Sequence, residues 1–177
     1  PSIQIHSLQL LKGNAVLGQT GLERLGKRFS HLQTLHLSAQ QVEDFQAIAH
    51  LPLKSLTLGE TPNPKNLPSG LKQFTYSHAP AKSFAPEILA PLKSLKKLHI
   101  YSLYTDKTPS MSWWQKLWAP PPPPNPFAER LSAVLPPSLE DLSLHDLPIE
   151  RLRPLLCERE LPALKHLMLH NLSVSDL

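Results

Sequence analysis

Cysteine occurs once in the 177 residues, as Cys157. The chain can therefore close no disulfide of its own and has no set of thiolates for a zinc knuckle. That usage fits a reducing compartment, cytoplasmic or nuclear. Glycine is scarce, at 6 residues, and aromatic residues number only 11. No stretch reaches the roughly 18 uninterrupted apolar residues of a membrane-spanning helix, because Lys, His, Gln or Pro breaks every leucine-rich run. The chain opens on Pro1 rather than Met, and no charged-then-apolar leader follows. It reads as a fragment or processed form of a longer parent.

What is abundant is leucine, with 36 residues or about a fifth of the chain, and proline, with 20. Such a leucine content is not that of a disordered segment, and the length suits one domain with a sizeable core. The net charge is +4, but it is unevenly spread: residues 1–116 carry +7 and residues 117–177 carry −3. Opposite fields on the two parts suit a partner of mixed charge better than a uniform polyanion. Lys12, Lys54, Lys65, Lys72, Lys82 and Lys93 are scattered singly, and no arginine cluster interleaves with aromatic rings. Nucleic acid is therefore not the expected partner, and neither is a membrane.

One apolar signature recurs, Leu-x-x-Leu-x-Leu with conservative variants. It reads IHSLQL at 5–10, LQTLHL at 32–37, LKSLTL at 53–58, LKQFTY at 71–76, LKKLHI at 95–100, LEDLSL at 139–144 and LKHLML at 164–169. The middle apolar positions, from Leu8 to Leu167, are separated by 18 to 44 residues. The last two apolar residues of each unit lie two apart and so share one side of a strand. One such strand cannot bury its leucine pair alone. Parallel stacking of successive strands, with each return segment outside, builds a core layer by layer.

These seven units resemble the leucine-rich repeat family. The resemblance implies an α/β solenoid with about seven parallel strands on the concave face, helices or irregular segments on the convex side, and a single domain over 1–177. The polar residue that usually closes the family motif is replaced by Gly13, Gln40, Thr61, Ala79, Leu103, Leu147 and Leu172. The irregular repeat lengths, and the phrases LPSGLKQF and LPPSLEDLSL ahead of strands, resemble the degenerate repeat region of fungal F-box proteins. That likeness implies substrate recognition for a ubiquitin ligase, with no enzymatic chemistry by this chain. No segment here reads as an F-box itself, and the ends lack polar capping repeats, as a piece of a longer solenoid would.

Between the strand units, residues 15–29, 40–51 and 126–135 carry apolar residues at helical spacing, the third opening on Pro126. Residues 148–161 suggest another helix, bent or shortened by Pro154, with Cys157 packed as a small apolar residue. The segment 59–70 should be an irregular turn. An insertion at about 103–126 holds all three tryptophans, Trp113, Trp114 and Trp118, followed by the run Pro120–Pro124. The prolines favour a polyproline II rod that an SH3, WW or profilin-like groove could take, although the nearest basic residue is Lys116. The tryptophans are either an exposed anchor for a partner or fold back onto the repeats.

Stacked in order, the strands expose three columns of side chains. One runs Ser7, Thr34, Ser55, Gln73, Lys97, Asp141, His166; the next Gln9, His36, Thr57, Thr75, His99, Ser143, Met168; the third Leu11, Ser38, Gly59, Ser77, Tyr101, His145, His170. The early repeats offer small neutral groups. The last three repeats offer Lys97, His99, Tyr101, Asp141, Ser143, His145, His166 and His170, a mixture suited to protein recognition because Tyr brings contact area at low entropy cost. With its histidines, this patch should gain positive charge below about pH 6.5.

Asp141, Ser143 and His166 also contain the ingredients of a hydrolytic triad, and His145 with His170 and Asp146 part of a metal site. An open strand face offers no oxyanion donors, and two imidazoles fall short of the three ligands zinc wants. The expectation is a protein-binding module without cofactor or metal, with an adaptor acting through the Trp/Pro insertion as the alternative and a hydrolase a distant third.

Overall fold

The structure is a computed structural model and describes residues 4–11, 17–38, 42–59, 64–77, 85–101, 127–145 and 160–170. Leu-x-Leu alternation produces seven strands among these residues: β1 (Ser7–Leu10), β2 (Thr34–Leu37), β3 (Ser55–Gly59), β4 (Gln73–Ser77), β5 (Lys97–Ile100), β6 (Asp141–His145) and β7 (His166–His170). All pair in parallel, in the order β1 to β7, as one sheet. Each repeat aligns with the next without slippage, Leu35 against Leu56, Leu56 against Phe74, Phe74 against Leu98 and Leu98 against Leu142. A one-residue slip would turn every buried leucine outward, so the hydrophobic pattern fixes the register.

The apolar side of the sheet is the core. Leu56, Leu58, Phe74, Tyr76, Leu98, Ile100, Leu142 and Leu144 are fully buried there. The first leucine of each inner unit, Leu32, Leu53, Leu71, Leu95 and Leu139, is buried beneath the strand starts. Each such leucine is worth about 1.5–3 kcal/mol relative to exposure. Burial also pushes the Tyr76 hydroxyl up to about 12. At β7 the pattern opens: Leu167 is 41 % exposed, where its neighbour Leu142 is fully covered.

The return segments are short and varied. Helix α1 (Gln19–Arg28) lies within the expected 15–29 segment and buries Leu22 and Leu25; α2 (Phe127–Val134) lies within 126–135. Of the segment 40–51, the described residues 42–51 form a 3-10 turn at Gln46–Ile48 and no α-helix. Residues 43–45 are held extended instead: Lys65 N–H donates to the Glu43 carbonyl (2.6 Å) and Phe45 N–H to the Lys65 carbonyl (3.0 Å). Asp44 then accepts from the Gln46 N–H (2.8 Å) and the Asn66 amide (2.9 Å), starting the turn only at residue 46. Asn66 sits at φ 54°, a left-handed conformation that Asn tolerates. A second 3-10 turn, Pro86–Leu89, packs against α2, where Arg130 grips the Glu87 carboxylate through two nitrogens. The Ser138 hydroxyl bridges the Lys93 and Leu95 carbonyls at 2.9 and 3.0 Å.

Of the expected irregular turn at 59–70, residues 64–70 carry no helix or strand beyond the single Asp44–Lys65 bridge. The insertion with Trp113, Trp114, Trp118 and Pro120–Pro124 lies outside the described residues. So do Pro126, Asp146, Cys157, nearly all of the segment 148–161, and the seven positions that replace the motif-closing residue. Among the described residues no helix is long and apolar enough to cross a membrane.

Candidate functional site

Because Cβ atoms alternate across a strand, burying the leucines sets the intervening residues on the opposite surface. The register turns them into the three columns anticipated from the sequence. Lys97 pairs with Asp141 and Asp141 with His166; His99 pairs with Ser143 and Ser143 with Met168; His145 pairs with His170. Tyr101 follows β5 directly, its N–H bonded to the Tyr76 carbonyl at 2.8 Å.

The third column forms a ladder of rings. The Tyr101 ring lies 4.3 Å from that of His145, tilted by 46°, and His145 lies 4.3 Å from His170 at only 15°. His99 approaches Tyr101 edge-on at 6.4 Å and 83°. The Ser143 hydroxyl is 3.3 Å from His145 Nε2. The ladder is therefore held from below by a hydrogen bond as well as by stacking. Lys97, His166, Met168 and His170 are exposed around it, and Tyr101, Asp141 and His145 are half-buried.

The triad ingredients sort themselves differently from the sequence expectation. Asp141 faces His166 in register, but its carboxylate stands 3.5 Å from His99 Nε2. That contact is an ion pair only when the imidazole is protonated, and it lacks hydrogen-bond geometry, leaving His99 Nε2 buried without a hydrogen-bond partner. Ser143 engages His145 instead. Serine and carboxylate thus address different imidazoles, and Ser143 is only 3 % exposed. A nucleophile must be reached by its substrate and share its base with the orienting carboxylate, and this arrangement provides neither. Among the described residues, no group of three or more His, Cys, Asp or Glu is placed to hold a metal ion. Parallel stacking of His145 on His170 sets two imidazoles side by side, while Asp146, the third member of the anticipated set, lies outside the described residues.

At the strand starts lies an electrostatic joint that the sequence reading missed. Glu140, the residue before β6, accepts from Lys96 Nζ at 2.6 Å and from Lys165 Nζ at 2.8 Å. Lys165 and then Lys96 hold its carboxyl down at about 2. The motif spacing could have revealed it, since all three residues occupy the second position of their units. A shallow hollow of about 510 Å³ lies away from the strands, lined by return-segment residues including Gln46, Lys65, Asn66, Glu87 and Pro91. Its acidic residue, Glu87, is already committed to Arg130, whose guanidinium holds the carboxyl below its usual range.

Compared with protein-family models, with curated proteins and with solved structures, the chain matches none.

Proposed function

We propose that the chain is a leucine-rich-repeat solenoid that recognises a protein partner through its concave strand face, with β5 to β7 as the main contact. The observation that carries this reading is the ring ladder Tyr101–His145–His170, set on a rigid sheet and flanked by exposed Lys97, His166 and Met168. Pre-ordered rings lose little freedom on binding, and a rigid mount lowers the cost of association further. Seven in-register Leu-x-Leu strands support the solenoid, since stacked units of this kind present a continuous surface. The chain performs no chemistry of its own in this reading.

The style of the repeats, with LPSGLKQF and LPPSLEDLSL ahead of β4 and β6, extends the proposal to the substrate-recognition part of an F-box-type ubiquitin ligase receptor. That extension rests on the resemblance alone.

The test compares the chain with a Tyr101→Ala, His145→Ala, His170→Ala variant of matched circular dichroism. Partners are captured from lysate, identified by mass spectrometry, purified and titrated calorimetrically. Affinity lower by at least about tenfold in the variant supports the ladder as the contact, as expected for a ring cluster at an interface centre. Unchanged affinity removes it and moves the contact to Trp113, Trp114, Trp118 and the adjoining prolines.

A further inference from the structure

Lys54, Lys72 and Lys96 are far apart in sequence, yet each is the residue immediately before a strand. The backbone makes them neighbours: the Lys72 N–H donates to the Lys54 carbonyl at 2.8 Å, and the Lys96 N–H to the Lys72 carbonyl at 2.8 Å. Their spacing is that of adjacent strands, about 4.8 Å. Lys97, opening β5 beside Gln73, adds a fourth ammonium. All four side chains are exposed.

Among the described residues no acid balances Lys54 or Lys72, whereas Lys97 stands opposite Asp141 in register. Strands β1 to β5, and the residue before each, contain no Asp or Glu; the first acids along the sheet are Glu140 and Asp141 at β6. Lys54 reaches only the neutral Gln33 Oε1, at 2.9 Å. Lys96 reaches Glu140, and Lys72 makes no side-chain hydrogen bond or ion pair among the described residues. Like charges in register on adjacent strands destabilise a sheet, and at Lys54 and Lys72 no acid among the described residues offsets that cost. A partner's negative charge would offset it.

We infer that the row Lys54–Lys72–Lys96, with Lys97, receives an acidic, extended polypeptide segment laid across the starts of β3 to β5. The inference deepens the face-recognition reading and rests on it, by giving the chemistry of part of the partner. Acidic side chains on one side of an extended chain recur about every 6.7 Å, within reach of lysines on flexible four-carbon stems. Ser55 and Gln73, next along their strands, offer hydrogen-bond partners for its backbone. A nucleic-acid strand fits less well, because the row carries no arginine and no aromatic ring on which a base could stack.

The experiment is fluorescence anisotropy at low salt with a labelled peptide of alternating Glu and Ser, and with a labelled oligothymidylate. The chain is compared with Lys54→Gln/Lys72→Gln and with Lys27→Gln/Lys65→Gln, which removes the same charge elsewhere. Saturable peptide binding, weakened about fivefold or more by the first pair and little by the second, is the expected result. Absence of saturable binding, or equal weakening by both pairs, overturns the inference. So does tighter binding of the oligothymidylate through the same two lysines, which would assign the row to a polyphosphate.

The ring-ladder variant separates this inference from the reading beneath it. Peptide binding should survive Tyr101→Ala/His145→Ala/His170→Ala, and its loss there would overturn the lysine assignment. Failure of the face reading itself shows as captured partners indifferent to that triple change.

Discussion

The imidazole of His145 stacks on that of His170 with 4.3 Å between centroids and 15° between planes, across two strands joined by twenty-odd intervening residues. Ring currents make this contact measurable. In carbon-detected or proton-detected spectra of the imidazoles, the His170 ring protons should move when His145 is replaced by Ala. Tyr101→Leu should shift His145 more than His170, because Tyr101 lies against the first ring. Unchanged His170 resonances in the His145→Ala variant would contradict the stack.

Glu140 gives the fold a pH signature. Its carboxyl sits at about 2, below the ordinary 4.5, because Lys165 and Lys96 donate to it. The folded state therefore favours the ionised form. That contribution is complete above about pH 4.5 and is lost as pH falls through about 2. Glu140→Gln should have a lower urea midpoint than the parent near neutrality, with the difference closing between about pH 4.5 and 2. Molar salt should narrow the difference at neutral pH, since the three groups are partly exposed.

Leu98 occupies the centre of the layered core, fully buried between Phe74 and Leu142. Leu98→Ala should cost about 2–5 kcal/mol in chemical denaturation, the transfer and cavity terms together. On the opposite surface of the neighbouring strand, Gln73→Ala should change stability by no more than about 0.5 kcal/mol. Comparable losses at the two positions would contradict the assignment of faces.

Gly26 makes two principles disagree. In helix α1, replacing Gly by Ala should gain up to about 1 kcal/mol from helix propensity. A β-carbon at Gly26, however, would stand 2.6 Å from the Ala47 carbonyl oxygen, in the 3-10 turn region against which α1 packs. The contact should win, and Gly26→Ala should lower stability by about 1–3 kcal/mol. A rise in the denaturation midpoint would show that α1 can move away from the turn without cost.

The strands were legible in the sequence because one physical requirement, burying two leucines spaced by one residue, fixes both strand and register. The columns followed from alternation alone, so the neighbours of Tyr101, His145 and His170 could be read in advance. Contacts across columns could not. Whether Asp141 meets His166 or His99 depends on side-chain directions that no spacing encodes, and the structure pairs it with His99. The helix expected at 40–51 failed for a similar reason: its apolar spacing suits a helix, but backbone bonds to Lys65, twenty or so residues on, hold residues 43–45 extended. Helix α1 has no such competitor and formed within its expected segment. The lysine row is not legible along the chain, because its members look isolated until the second position of each unit is aligned.

Equivalent positions of neighbouring strands are separated by as few as 18 residues and as many as 44, while the pairing from Leu56 through Leu142 does not shift by one residue. Length added between strands therefore leaves the register of the strands unchanged. Residues can accumulate by insertion between strands, as between β5 and β6, while the strands that flank the insertion still pair in register. The exposed strand surface changes one place at a time, by substitution at alternate strand residues. Insertion and substitution thus act separately on one sheet, and a lineage of such chains can alter what it touches without altering how its strands pair.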